Sequence, residues 1–390
     1  MTNITLFSQI ISKISRQSFG KLVQEYSSDK HSKGYNSWTH LVSMLFCQFA
    51  KSQSVRDISN GLRSATGNLN HLGIQKAPSK SSISYQNKNR NWELFRAYYY
   101  KLLGSLGQQA GFKQVKFRIK SKIFLLDSTT ISLCLSLFDW AKYKTSKGAV
   151  KMHTLLDYNG NLPAYVNITD GKTADNKGAY DIPLIKGSGI VADRFYNDFN
   201  LLNVWDSNEV NFVVRHKENI QYRTIKENKL PSKRHQHILK DEIIELKNKT
   251  SKQRYPKLLR RIAVWDEKNK QVIEIITNQF KWSASTIAEL YKSRWQIEIF
   301  FREIKQLLNI KSFIGTSENA VMIQIWTALI TILILKALKA MAKYGWHLSN
   351  LVAFIRLNIF VKIDLQLWLD KPFEPTEEKQ VTNYWQGVLF

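Results

Sequence analysis

The hydrophobic period changes at Lys116, and that change limits the folds open to this chain more than any other feature. Before it, apolar residues recur at helical spacing through residues 38–49 and 92–103. After it come short runs that read as strands: 123–126, 150–158 (carrying Lys151 and His153), 162–169, 190–192 and 211–214. Asn159-Gly160 joins the second run to the third, and this dipeptide favours a tight hairpin because both positions tolerate positive φ. A helix is expected around 177–184, before the fourth strand. The chain is therefore α/β, with a helical segment ahead of the sheet.

Three strands, a helix, a strand, a helix and a strand is the order expected of a ribonuclease-H-like core. The pattern breaks in residues 215–261, where fifteen Lys or Arg stand against five Asp or Glu with little periodicity. Strand-like sequence resumes at 262–265 and 272–276. Four regions follow: helical 1–115, a core of 116–214 plus 277–345, a basic β-rich insertion at 215–276, and a C-terminal region at 346–390. Within the first, Ser54-Val-Arg-Asp-Ile-Ser-Asn-Gly-Leu62 and the stretch from Ser79 to Arg90 resemble two helices of a helix-turn-helix. Tyr85, Gln86 and Lys88, with Ser82, are then candidate DNA-groove contacts. An ordinary helical bundle accounts for the same pattern.

The 390 residues include 57 Lys or Arg and 31 Asp or Glu, a net charge of +26. An excess of that size points to a polyanion, nucleic acid first. Lys247, Lys249, Lys252 and Arg254 concentrate it within the insertion. Cys47 and Cys134 form no metal spacing or disulfide framework, as in a reducing cytosol. His235 and His237, the one close histidine pair, read as surface residues. No charged-then-apolar leader opens the chain. The apolar stretch 321–342 is interrupted by Gln324, Lys336 and Lys339, so it reads as a core helix and no membrane partner is expected.

Residues 291–308 read as one helix with a sharply divided surface. At about 100° per residue, with Tyr291 at 0°, Arg294 falls at ~300°, Glu298 at ~340° and Lys305 at ~320°. These four share a stripe ~60° wide, while Ile297, Phe300, Phe301 and Ile304 belong to the core face. An i,i+4 pair of Arg294 with Glu298 explains the charges. It gives no reason for Tyr291 and Lys305 to fall on the same line. A carboxylate beside cations suits a metal ion next to a phosphate chain.

Asp127 directly follows the run 123–126, and Asp193 follows 190–192. Acids at the carboxyl ends of buried strands project where active sites of open α/β sheets gather. With Glu298 they make three hard oxygen donors with no Cys or His, a set suited to Mg2+ or Mn2+. Two such ions about 3.5–4 Å apart can activate a water and stabilise the leaving oxygen of a phosphodiester. Taken singly, each Asp reads first as a helix cap or turn residue, and the balance reverses once the helix stripe and the net charge are added. Asp139, Asp157, Asp170 and Asp175 also lie near strands, and Glu303 shares the helix. Glu303 falls at ~120°, away from the cationic stripe, and Asp157 reads as a turn residue.

The spacing Tyr-x2-Arg-x3-Glu-x6-Lys, at Tyr291, Arg294, Glu298 and Lys305, resembles the YREK signature of bacterial insertion-sequence transposases (insertion sequence family four). Leu-Leu-Asp127-Ser-Thr and Ala-Asp193-Arg-Phe-Tyr resemble the family's two Asp motifs, in the same order. The resemblance implies a cut-and-paste DNA transposase with a ribonuclease-H-like DDE core, a β-rich insertion before the Glu, and Mg2+ as cofactor. It further implies nicking at element ends, a hairpin intermediate and joining to target DNA. Asp127, Asp193 and Glu298 would bind the metals, while Tyr291, Arg294 and Lys305 would hold phosphates. Double-stranded DNA bearing terminal inverted repeats, target DNA and a second copy of the chain are the implied partners, in the bacterial cytoplasm at the nucleoid. The family's insertion can present a Trp to a flipped base. The equivalent place lies near Ile273, and Trp265 and Trp282 are the nearest indoles, so that role is unassigned. A metal-dependent nuclease without joining, and a non-catalytic transposase-derived DNA binder, are the alternatives. Three acids facing DNA argue against the second.

Overall fold

The computed structural model describes residues 3–65, 67–106, 121–133, 142–144, 147–218, 220–230 and 237–374. The boundary at Lys116, and Cys134, Asp139 and His235, lie outside these residues. Six helices come first: α1 (Leu6–Ser12), α2 (Arg16–Glu25), α3 (Ser37–Ala50), α4 (Val55–Ser64), α5 (Lys80–Asn89) and α6 (Glu93–Leu106). Thr5, Ser15, Asn36, Ser54 and Ser79 cap the first five, each side chain accepting the backbone N–H three residues on. Residues 65–79 join α4 to α5 through a 3-10 turn, and Ser59 of α4 donates to Pro78 O at 2.8 Å.

The strands are β1 (Ile123–Leu133), β2 (Lys142–Lys144), β3 (Lys147–Asp157), β4 (Leu162–Asp170), β5 (Gly189–Ala192), β6 (Asn211–Arg215), β7 (Tyr222–Glu227), β8 (Ile238–Leu246), β9 (Leu259–Asp266) and β10 (Gln271–Thr277). They form one mixed sheet in the order β2-β3-β1-β5-β6-β10-β9-β8-β7, with β4 also pairing β3. β1, β5 and β6 are mutually parallel, and the other pairings are antiparallel. Two short helices, α7 (Asp175–Ala179) and α8 (Phe199–Ser207), flank β5 in sequence, and α9 (Lys249–Arg254) lies between β8 and β9. The helix expected over 177–184 is thus shorter and begins earlier. β1 runs on past Asp127 to Leu133, so Asp127 stands where the strand's continuous burial ends, not where the strand ends.

After the sheet come α10 (Ala284–Ser293), α11 (Trp295–Leu307), α12 (Glu318–Met341), α13 (Leu348–Leu357) and α14 (Leu365–Asp370). The single helix expected over 291–308 is broken at Arg294. There the hydrogen bonds tighten to i→i+3, Arg294 N to Tyr291 O at 3.1 Å and Ile297 N to Arg294 O at 3.0 Å. α12 is long and apolar enough to cross a membrane, yet it is a core helix, with 89% of its most apolar window buried in the fold. It packs against α3, α5 and α6. Gln324 is buried within it and donates to Asn309 O at 2.6 Å and Ser312 O at 2.9 Å, so its amide is satisfied internally.

Candidate active site

β1 and β5 are adjacent and parallel, with Leu126 opposite Ala192, so Asp127 and Asp193 emerge side by side at one sheet edge. α11 packs on β1 and brings Glu298 to the same edge. Arg294, at the α10–α11 junction, ties two of these acids together. Its Nη2 donates to Glu298 Oε1 at 2.6 Å and its Nη1 to Asp127 Oδ2 at 3.3 Å. Asp127 Oδ1 accepts the Ser128 N–H at 2.8 Å. Asp193 Oδ1 accepts the Phe195 N–H at 2.8 Å and caps a 3-10 turn, Arg194–Tyr196, so it also does what an Asp after a strand commonly does.

Burial dominates the electrostatics here. It pushes the Asp127 carboxyl up to about 7, against the opposing pull of the Ser128 N–H and Arg294, and Asp193 and Glu298 push the same way. Burial raises Asp193 too, against Phe195 N–H, Arg294 and Arg194. Arg294 rises above its ordinary value: burial acts to lower it, but Tyr291, Asp127 and Glu298 together outweigh that. The acids thus share a single guanidinium.

The other residues expected to contact metal or DNA are more widely spread. Tyr291 is half-buried on α10, with burial first among the causes that raise its phenol. Lys305 donates to Thr130 O at 2.7 Å, which latches α11 to β1. Tyr85 and Lys88 lie on the solvent face of α5, Tyr85 at 65% exposure, and Gln86 is half-buried. Lys247, Lys249, Lys252 and Arg254 are all exposed on or beside α9, and Lys252 pairs with Glu245 at 2.5 Å. Glu303 faces the opposite way, lining a separate cavity with Lys336. Asp157 receives the Asn159 N–H at 2.9 Å in the β3–β4 turn, and Asp170 receives Thr173 N and Oγ1.

Not all the cations of the basic run face outward. Arg260 forms a two-pronged pair with Asp241, at 2.8 and 2.7 Å, and Arg261 pairs with Glu242 and Glu274, both arginines being buried. A cleft of about 860 Å3 lies beside Arg294, lined by Tyr291, Arg215, Trp265 and Trp295 over an apolar floor that includes Ile273 and Ile275. Trp265 reaches this cleft at 36% exposure instead of joining a strand core, and its indole donates to Glu267 at 2.6 Å. Trp282 lies elsewhere, its carbonyl accepting Arg260. Sequence reasoning misses Arg215, Trp295, Ser128 and Tyr196. Arg215 and Tyr196 carry a signal, since each adjoins the end of an apolar strand run or the Asp193 motif.

The residue types fit a hard divalent cation: a carboxylate on β1, one just after β5 and one on α11, with no sulfur and no imidazole. Among the described residues no three acidic, His or Cys side chains close into one ligand cluster. Arg294 supplies positive charge between Asp127 and Glu298 instead.

Comparison with known proteins agrees with this architecture. The family described as "Transposase DDE domain" matches residues 118–334, and a family described only as a domain of unknown function matches residues 2–75. The chain is 28% identical over 279 residues to the probable transposase for insertion sequence element IS5377 of Geobacillus stearothermophilus, covering 71% of this chain and 72% of the relative. It is 29% identical over 262 residues to a Sinorhizobium fredii protein named as a transposase, y4zB, covering 67% and 71%. A Synechocystis protein named as a transposase for insertion sequence element IS4SA is 26% identical over 292 residues, covering 74% and 80%. The chain belongs to the transposase DDE domain family and is an insertion-sequence transposase of the DDE type.

Proposed function

We propose that this transposase belongs to the YREK-signature branch, insertion sequence family four, and that Asp127, Asp193 and Glu298 are its catalytic, metal-binding acids. The observation that carries this is the contact of Arg294 with both Asp127 and Glu298, residues 171 positions apart in sequence that meet beside the end of β5. The β4-β3-β1-β5-β6 order, with β1, β5 and β6 parallel, supports a ribonuclease-H-like core. β7–β10 fall between the second Asp and the Glu, which supports reading them as the β-rich insertion, although they continue the same sheet through β6–β10. The boundaries 1–115, 116–214 with 277–345, 215–276 and 346–390 follow from this reading.

DDE transposase domains generally use divalent metal ions, and Mg2+, with Mn2+ as a substitute, is the fit for these acids. Bound by them, a pair of cations would activate the attacking water or 3′-hydroxyl and stabilise the leaving oxygen. Tyr291, Arg294 and Lys305 grip phosphates of the cut strand. Lys247, Lys249, Lys252 and Arg254 hold flanking DNA, and Tyr85, Gln86 and Lys88 on α5 contact the terminal repeat. The chain nicks the element end, closes a hairpin, reopens it and joins the end to target DNA, as a homodimer bringing two ends together in the cytoplasm. An indole-lined cleft beside Arg294 supports the hairpin step, which needs somewhere for a displaced base to stack.

The test is a time course on a labelled element end with Mg2+, resolving nicked, hairpin and joined products on a denaturing gel. Asp127→Ala, Asp193→Ala and Glu298→Ala each abolish cleavage while end binding persists, and Glu303→Ala leaves cleavage at the wild-type rate. Full cleavage by Glu298→Ala with loss in Glu303→Ala would refute the assignment. Nicking by wild-type protein with no hairpin or joined product would make the chain a nuclease.

A further inference from the structure

Beneath Asp127 lies a polar layer that the acids alone do not explain. Ser128 is the next residue of β1, and its backbone N–H fixes Asp127 Oδ1. Its own hydroxyl donates to Asp175 Oδ1 at 2.5 Å, on the first residue of α7 and 47 positions further along the chain. Asp175 is held from the other side by Lys151 of β3, with Nζ 3.0 Å from the same oxygen and 2.7 Å from Thr173 O. Lys151 is 13% and Asp175 26% exposed, so this is a partly buried ion pair.

The packing around the pair leaves it little freedom. Gly178 of α7 lies over the buried ring of His153, where a Cβ would come within 2.5 Å of the imidazole, so α7 sits directly on β3. His153 is in turn the β3 residue paired with Ser128. The fully buried Tyr196 has a hydroxyl with no hydrogen-bond partner among the described residues, in the field of Asp127, Asp175 and Asp193 and beside Ser128.

A purely structural role is a poor account of this arrangement. A partly buried ion pair that solvent still reaches adds little to stability. Lys151 balances the charge of Asp175, which still acts on Asp193 and Tyr196. The contacts of the layer end on Ser128, whose N–H holds Asp127 Oδ1. Resting on the proposed role of Asp127 as a metal ligand, we propose that Asp175, clamped by Lys151, is a positioning residue that sets Asp127 through Ser128, with the Tyr196 phenol as a further donor in the same layer.

The experiment measures Mn2+ binding to the DNA-free full chain by electron paramagnetic resonance of the free ion, beside thermal melts. Outer partners of ligating carboxylates typically hold roughly 10–100-fold in metal affinity; Asp175 and the Ser128 hydroxyl act on Asp127 one contact further out, so Asp175→Ala and Ser128→Ala are each expected to lose about tenfold, the low end of that range. The double variant should lose no more than either single one, because both break one chain of contacts. Asp175→Asn, which keeps an oxygen for Ser128, should recover affinity to within a few-fold. Wild-type affinity in both alanine variants, additive losses, or no recovery in Asp175→Asn would each overturn the inference. Ser128→Ala leaves the Lys151–Asp175 pair in place, so if Asp175→Ala does not fold it decides alone: a tenfold loss supports the inference and no loss overturns it. Asp127→Ala separates the two levels of the argument. If it leaves Mn2+ binding unchanged, the metal-site reading itself fails; if it alone abolishes binding, only the positioning role fails.

Discussion

Arg294→Ala should tighten metal binding in the DNA-free protein. In the wild type the guanidinium is 17% exposed and bonds Asp127 at 3.3 Å and Glu298 at 2.6 Å. A cation entering between those acids must give Arg294 somewhere else to go. Charge centres about 4 Å apart attract by ~4 kcal/mol at an effective dielectric of ~20. Removing one member of a fully buried pair costs ~3–5 kcal/mol, because the partner is left uncompensated. The acids here are 18% and 33% exposed, so solvent screens part of that, and ~2 kcal/mol is a better figure. Without the arginine that contact no longer opposes the metal, and ~2 kcal/mol corresponds to about 30-fold in affinity. Isothermal titration with Mg2+ reads this as a pH series rising from the wild-type Asp127 value of about 7, because removing Arg294 removes a pull that holds that value down; the comparison is made on the plateau each protein reaches once Asp127 is ionised. By linkage, the variant should melt lower than wild type without metal and recover most of the difference with saturating Mg2+. Addition of an element end should bring the wild-type affinity towards the variant's, since phosphates then hold Arg294. An affinity that stays the same or falls would refute the reasoning.

Two further outcomes follow from the same geometry. Because burial holds Asp127 protonated up to about 7, and a ligating carboxylate must be ionised, Mg2+ affinity should rise roughly tenfold per pH unit below that value and level off above it. The sign for stability is the reverse: the folded state keeps a proton that the unfolded chain releases at the ordinary value of 3.8, so this group's contribution falls as pH climbs through that window, which pH-dependent melts in chelator can follow. Neutralising Lys247, Lys249, Lys252 and Arg254 together should weaken DNA binding and flatten its log–log salt dependence by roughly 0.9 for each phosphate these cations neutralise in the wild type. A filter-binding series over salt concentration checks it, and an unchanged slope would make α9 a merely solvated surface.

The parts of the fold legible in sequence are those whose burial is uniform. β5 and the first four residues of β1 are buried throughout, as expected of parallel strands covered on both faces, and so they read as unbroken apolar runs. β7 and β8 are hidden because β7 lies at the sheet edge and is almost wholly exposed, and β8 carries Asp241 and Glu242 inward. Their partners, Arg260 and Arg261, come from β9, so a charge that reads as surface in sequence is internal in the fold. The net charge therefore overstates the basic surface of the insertion. Ser128, Lys151 and Asp175 could not be grouped from sequence, because only the β1–β3 pairing and the seating of α7 bring them together.

The segment carrying Arg294 and Glu298 shows how a wheel drawn for one helix meets a fold that has two. A constant 100° per residue assumes i→i+4 bonding throughout, and the i→i+3 bonds around Arg294 violate it. Tyr291 consequently sits on α10, Glu298 and Lys305 on α11, and Arg294 on the joint between them. The i,i+4 pair that explained the stripe as an ordinary helix face does form, at 2.6 Å. It does not separate the ordinary reading from the functional one, because a surface helix would form the same pair. The arginine's second bond is the contact that the wheel does not predict. Asp127 comes from a strand 167 residues earlier, and nothing in helix periodicity asks the guanidinium to reach it. The Arg294→Ala titration with Mg2+ tells the two readings apart: a guanidinium that only ties α11 to β1 leaves no metal affinity to gain when it is removed.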